Sequence, residues 1–219
     1  AVWPDSISSD TLSDRVADIP SVGDWERPSL EKILSLKPDL IIGHVWQRAQ
    51  YSLLSEIAPT VLLGTDSRVD YRVDFKENLT YLADILDKGD KASELLANYN
   101  MRIEEFRQKL GNGLDNMTVS IVHLNGSQPS VYGPNLVPYA QVLIDAGIPL
   151  IPAYKNLKRS KFLSVEALPD WDADVLFVVI LQEEESEQLE SLSFLQQPIW
   201  KNLKAVQDGN VYGVSWAST

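Results

Sequence analysis

The chain has 219 residues, 44% hydrophobic and 23% charged, with a formal charge of −12. A chain of this size can bury about 70% of its unfolded surface, enough for two compact lobes without staples. Its composition excludes a disordered chain, no apolar run approaches a membrane span, and the acidic balance argues against a nucleic-acid partner.

Taken in chain order, Ser29 to Leu36 reads as a short helix: Ser29 suits an N-cap, and Leu30, Ile33 and Leu34 recur at helical spacing. Pro38 and Asp39 end it, and Leu40–Gly43 follows as an apolar run fit for a parallel strand buried on both faces. Tyr51 to Ile57 reads as a helix stopped by Pro59, and Thr60 to Gly64 as the next strand. Two helices are expected over Phe75–Leu86 and Lys91–Leu110, separated by Gly89-Asp90, with the second long enough to connect lobes. Gly111-Asn112-Gly113 stops that helix, and Thr118 to Leu124 opens a new strand. An internal echo supports two α/β halves. Ser29-Leu30-Glu31-Lys32-Ile33 with Asp39-Leu40-Ile41 reappears 135 residues on (164 − 29 and 174 − 39) as Ser164-Val165-Glu166-Ala167-Leu168 with Asp174-Val175-Leu176.

The absence of cysteine excludes disulfides, thiol catalysis and thiolate metal sites, and two histidines, His44 and His123, cannot build a multi-histidine site. No Gly-x-Ser-x-Gly, Walker loop or His-Glu-x-x-His occurs, so enzyme chemistry has no visible seat. Glu183, Glu184, Glu185 and Glu187 read as a solvated acidic stretch, since no glycine-turned calcium loop accompanies them. The start at Ala1 carries no basic and apolar leader, so any export signal is expected to have been removed or to lie outside this sequence.

Pro28 to Gly43, reading Pro-Ser-Leu-Glu-Lys-Ile-Leu-Ser-Leu-Lys-Pro-Asp-Leu-Ile-Ile-Gly, resembles the signature of the iron-siderophore and cobalamin class of periplasmic substrate-binding proteins of ABC importers. Ile57-Ala58-Pro59-Thr60-Val61, Lys76-Glu77-Asn78, and Pro198 to Val206 with Gly209-Asn210-Val211-Tyr212 resemble later motifs of the same family. The similarity is greatest to the ferric-citrate and hydroxamate siderophore branch. It implies an α/β fold of two lobes joined by one long connecting helix, with a ligand cleft between the lobes. The expected divisions are residues 1–88, an N-terminal lobe; 89–112, the connecting helix; and 113–219, the C-terminal lobe. Against the family pattern the first strand of the N-lobe and a terminal helix are missing, so a truncated N-lobe is expected.

Open α/β sheets bind ligands at the carboxyl ends of their strands, which directs attention to the loops there. After the first strand come Trp46, a packing surface, and Arg48, where the family branch places an arginine facing an anionic siderophore. Guanidinium donors suit carboxylate or hydroxamate oxygens. His44 is expected to be structural, because siderophore-bound iron needs no protein ligand. The next loop carries Arg68, Tyr71 and Arg72, a local cationic patch in an acidic chain. In the C-lobe, Val131-Tyr132-Gly133-Pro134-Asn135 resembles the family's cleft loop, giving Tyr132 and Asn135; Tyr154, Lys158, Arg159 and Trp216 are further candidates. The resemblance assigns Glu31 and Glu166 to docking on an ABC permease dimer, one contact per half, where first-turn helix stabilisation would also explain each glutamate. The expected ligand is a ferric siderophore, with cobalamin or haem as the alternative cargo and a two-lobed α/β enzyme as the rival class. No cofactor is expected. A monomer is expected, in a periplasmic or cell-envelope location, with lipid anchoring of a full-length precursor left open.

Overall fold

A computed structural model describes residues 18–24, 27–66, 71–72, 74–111, 113, 117–125, 128–180 and 193–215. The fold is mixed α/β as expected, and the chain divides into two compact units, Ala1–Val69 and Asp70–Thr219.

In the first unit, α1 (Leu30–Leu36) starts where Ser29 Oγ accepts the Lys32 N–H at 3.3 Å and ends where Lys37 adopts a left-handed conformation, φ 48°. The strand β1 (Ile41–His44) leads through a 3-10 segment, Val45–Gln50, into α2 (Tyr51–Ile57), and β2 (Thr60–Leu63) returns parallel to β1 with Ile41 opposite Thr60. Val22, Ile33 and Leu54 form the core of this unit, with Leu30, Ile41 and Ile57 packed against it. Burial of β1 on both faces is not what the structure shows. Alternation sends Ile41 to the helices and Ile42 to the opposite face, where it is 44% exposed. The unit's described part closes with a two-residue strand, β3 (Thr65–Asp66).

The second unit opens with β4 (Tyr71–Arg72) and α3 (Phe75–Ile85), whose first turn is capped by Asp74 accepting the Lys76 and Glu77 N–H groups at 3.0 and 3.1 Å. The long helix α4 spans Gly89–Leu110. Gly89 and Asp90 therefore belong to its first turn instead of separating two helices; Asp90 places a carboxylate near the positive end of the helix dipole, and the turn is made at Asp87, φ 53°. A five-stranded sheet follows. Its order is β7 (Lys161–Phe162), β6 (Gln128–Val131), β5 (Val119–Asn125), β8 (Val175–Ile180), β9 (Val211–Ser215). The strands β5, β8 and β9 run parallel, while β6 and β7 are added antiparallel.

Alternation along β5 and β8 supplies two cores. Val122, Leu124, Leu176, Val178 and Ile180 meet Leu168, Trp171, Trp200 and Leu203 on one face. Val119, Ile121 and Val179 meet α4 through Ile103 and Leu110, and α5 (Pro138–Asp145) through Tyr139 and Leu143, on the other. The long helix is thus packed along the sheet of this unit. Two short helices, α6 (Pro198–Lys201) and α7 (Lys204–Gln207), precede β9. The second copy of the echo differs from the first: Val165–Trp171 is a 3-10 segment with Pro169 inside it, and Ser164 makes no side-chain cap. Proline lacks the N–H that the α-helical ladder requires at that position.

Candidate functional site

Each unit presents its own set of groups. In the first, Gln47 Oε1 accepts the His44 N–H at 2.7 Å, fixing the turn that leaves β1. The Trp46 ring, 53% exposed, lies 4.2 Å from the His44 ring at a tilt of 43°. Gly64, φ 95°, lets the chain leaving β2 approach the same imidazole, since a Cβ there would stand 3.1 Å from Nε2. Burial lowers the pKa of His44, so the ring behind Trp46 is neutral at pH 7. Arg48 is exposed and, with Tyr51, Ser52 and Leu62, lines an open cavity of about 390 Å³. A guanidinium, a phenol and a hydroxyl beside an aliphatic wall can take an anionic or hydrogen-bonding arm of a ligand.

In the second unit Tyr132 follows β6, half-buried, and its ring stands edge-on to His123 at 4.4 Å and 62°. His123 is 1% exposed, its Nε2 is hydrogen-bonded to the Tyr139 hydroxyl, and burial pushes its pKa down to about 4. Gly133 is required by close approach and not by φ, because a Cβ would collide with the Leu157 carbonyl oxygen. That approach brings Tyr132-Gly133 beside Leu157-Lys158, and Lys158 and Arg159 are exposed next to it. Asn135 is exposed in a 3-10 turn, Pro134–Leu136, and the backbone of β4, Tyr71–Arg72, runs beside that turn.

Among the sequence-based candidates, the structure gathers Tyr132, Asn135 and the β4 backbone into one region of the second unit, with Arg159 two residues beyond Leu157, which Gly133 approaches. It sets Trp46 and Arg48 together in the first unit. Arg68, Trp216 and the acidic stretch Glu183 to Glu187 lie outside the described residues, and so do the side chains of Tyr71 and Arg72. Glu31 is exposed in the first turn of α1, and Glu166 is exposed in the 3-10 segment, where its own backbone N–H and the Ser164 hydroxyl lower its pKa. Tyr154 is corrected to a structural residue: it is 4% exposed, its hydroxyl accepts the Ile121 N–H at 2.9 Å and donates to the Ile121 carbonyl at 2.6 Å, and burial raises its pKa to about 12.

Sequence reasoning passed over Tyr51, Ser52, His123 and Tyr139. No sequence pattern marks these four, whereas charge does support the candidates Lys158 and Arg159 already named. Residues 146–165 hold Lys155, Lys158, Arg159 and Lys161 and no acidic residue, inside a chain of charge −12. Among the described residues no three His, Asp or Glu side chains converge on a possible metal position, and no helix is long and apolar enough to cross a membrane.

Two α/β units, with aromatic and cationic side chains in the loops and turns flanking their strands, have the build of a ligand-binding protein. The chain belongs to the periplasmic binding protein family, whose model matches residues 3–215. It is 32% identical over 222 residues to a probable siderophore-binding lipoprotein, YfiY, of Bacillus subtilis (strain 168), covering 97% of this chain and 66% of that protein. It is 28% identical to an achromobactin-binding periplasmic protein of Dickeya dadantii (strain 3937), covering 98% and 71%. Among solved structures it is similar to Staphylococcus aureus SirA complexed with staphyloferrin B, with a TM-score of 0.77, 28% identity and coverage of 93% of this chain and 72% of that one. The chain therefore spans about two thirds of the length of these curated relatives.

Proposed function

We propose that the chain is the ligand-binding part of a periplasmic or cell-envelope protein that captures a ferric siderophore and delivers it to an ABC importer without transforming it. The observation that carries this reading is the family match over residues 3–215, joined to relatives named for siderophores along nearly the whole chain. Iron arrives as cargo already enclosed by its chelator, so the protein's task is recognition of the chelate surface. Trp46 offers an aromatic face and Arg48 paired donors in the first unit, with Arg68, Tyr71 and Arg72 in the following stretch. Tyr132, Asn135 and Arg159, with Trp216, are the corresponding groups in the second unit. Glu31 and Glu166 are exposed carboxylates suited to meeting cationic groups on the two halves of a permease. In this reading the protein works as a monomer without a resident cofactor.

A titration of the protein with ferric staphyloferrin B, ferric achromobactin, ferric citrate, ferrioxamine B and cobalamin, followed by tryptophan fluorescence, tests this. Saturable one-to-one quenching by a ferric siderophore, with the chelate recovered unchanged, is the expected result. Preference for cobalamin, or chemical turnover of any probe, would overturn the reading.

A further inference from the structure

The face of β5 that sends Val119 and Ile121 into the core beneath α4 and α5 continues to position 123, where an imidazole replaces an aliphatic side chain at 1% exposure. A polar ring is favoured there only if it gains partners that a valine could not supply. His123 has a hydrogen bond with the Ser130 backbone and, beyond it, contacts with two tyrosines. Its Nε2 is hydrogen-bonded to the hydroxyl of Tyr139, the second residue of α5, and its ring stands edge-on to Tyr132, the first residue after β6. The Tyr139 ring is itself 5.7 Å from the imidazole. Tyr132 and Tyr139 are the two ends of the segment that carries Asn135, and Gly133 pins the same segment against the Leu157 carbonyl.

We propose that His123 is a positioning residue for the ligand surface of the second unit: by holding Tyr132 at one end and Tyr139 at the other, it keeps residues 132–138 in one arrangement before ligand arrives. Preorganisation of this kind removes part of the ordering cost of binding. The consequence for affinity rests on the siderophore reading above, whereas the ordering of residues 132–138 does not.

The test compares the whole chain with His123→Ala and with the double variant His123→Phe/Tyr139→Phe, which keeps a ring against Tyr132 and removes the imidazole and the Tyr139 hydroxyl together. Amide hydrogen exchange of residues 132–138 is measured without ligand, and affinity for whichever of the five probes above binds the parent is measured well below the melting temperature. His123→Ala is expected to speed exchange in 132–138 about tenfold relative to β8 and to weaken binding about tenfold, with the double variant, which keeps the ring against Tyr132 and gives up the hydrogen bond at Tyr139, falling between the parent and His123→Ala on both readouts. Unchanged exchange in 132–138, or an increase spread evenly over the sheet, overturns the proposal, as does a loosened segment with unchanged affinity. If the parent binds none of the probes the siderophore reading fails, and the exchange data alone then decide the role of His123.

Discussion

A neutral histidine inside an acidic protein makes a measurable link between pH and stability. The folded His123 pKa of about 4 lies below the free value of 6.5, so folding favours the neutral ring; its contribution is complete above pH 6.5 and is lost as pH falls towards 4. Thermal or denaturant unfolding at pH 7 and pH 4 should show about 3 kcal/mol more acid destabilisation in the parent than in His123→Phe/Tyr139→Phe. Equal slopes would mean that the ring is less buried than the structure indicates. On the first unit, Arg48→Ala should weaken binding of the cognate ferric siderophore by about 1.5 to 3 kcal/mol, the range for a charge-assisted hydrogen bond, in a calorimetric titration. Gly133→Ala should lower stability by about 1 to 3 kcal/mol, because the added methyl must displace backbone at Leu157 and not a flexible side-chain end.

At the scale of elements, the carboxylate of Asp145 ties three helices of the second unit together. Its Oδ2 accepts the Tyr99 hydroxyl at 2.6 Å from α4 and pairs with Lys76 Nζ at 2.5 Å from α3, while Phe75 packs edge-on against Tyr99 at 5.2 Å. Burial and the adjacent carboxylate raise the Tyr99 pKa. Asp145→Ala leaves two partly buried donors without their acceptor and should cost about 2 to 3 kcal/mol, against about 1 kcal/mol for Tyr99→Phe, in equilibrium denaturation. Elements with local causes were legible in the sequence: the helix Tyr51–Ile57 with its proline stop was read at its observed bounds, and strands β1, β2 and β5 within a residue at each end. The antiparallel addition of β6 and β7 was not, because pairing of Ser130 with Phe162 is non-local and Pro129 obscures a short strand. The candidate site followed the same division. Loops after strands could be located from pattern, but the imidazole behind Tyr132 and the carbonyl behind Gly133 come from partners 9 and 24 residues away (132 − 123 and 157 − 133).

For the molecule as a whole, the echoed glutamates give the docking reading its test. Glu31 is exposed in the first turn of a capped α-helix and Glu166 is exposed in a 3-10 segment where it hydrogen-bonds its own N–H and Ser164, so a local role and an outward one must be separated by experiment. Glu31→Ala with Glu166→Ala in the full-length protein should leave siderophore affinity within about twofold and reduce uptake, with arginine at both positions more severe. Uptake at the parental rate would return both residues to local roles. A different consequence follows from the five-stranded sheet, whose two faces are both covered by segments lying between residues 74 and 215. Such a layer order has the makings of an autonomous folding module: a polypeptide begun at residue 70 should give a dispersed amide spectrum and a single cooperative melt, carrying Tyr132, Asn135 and Arg159 with it. That would make the proposed recognition groups of the second unit portable, open to grafting and to selection in isolation from their companion.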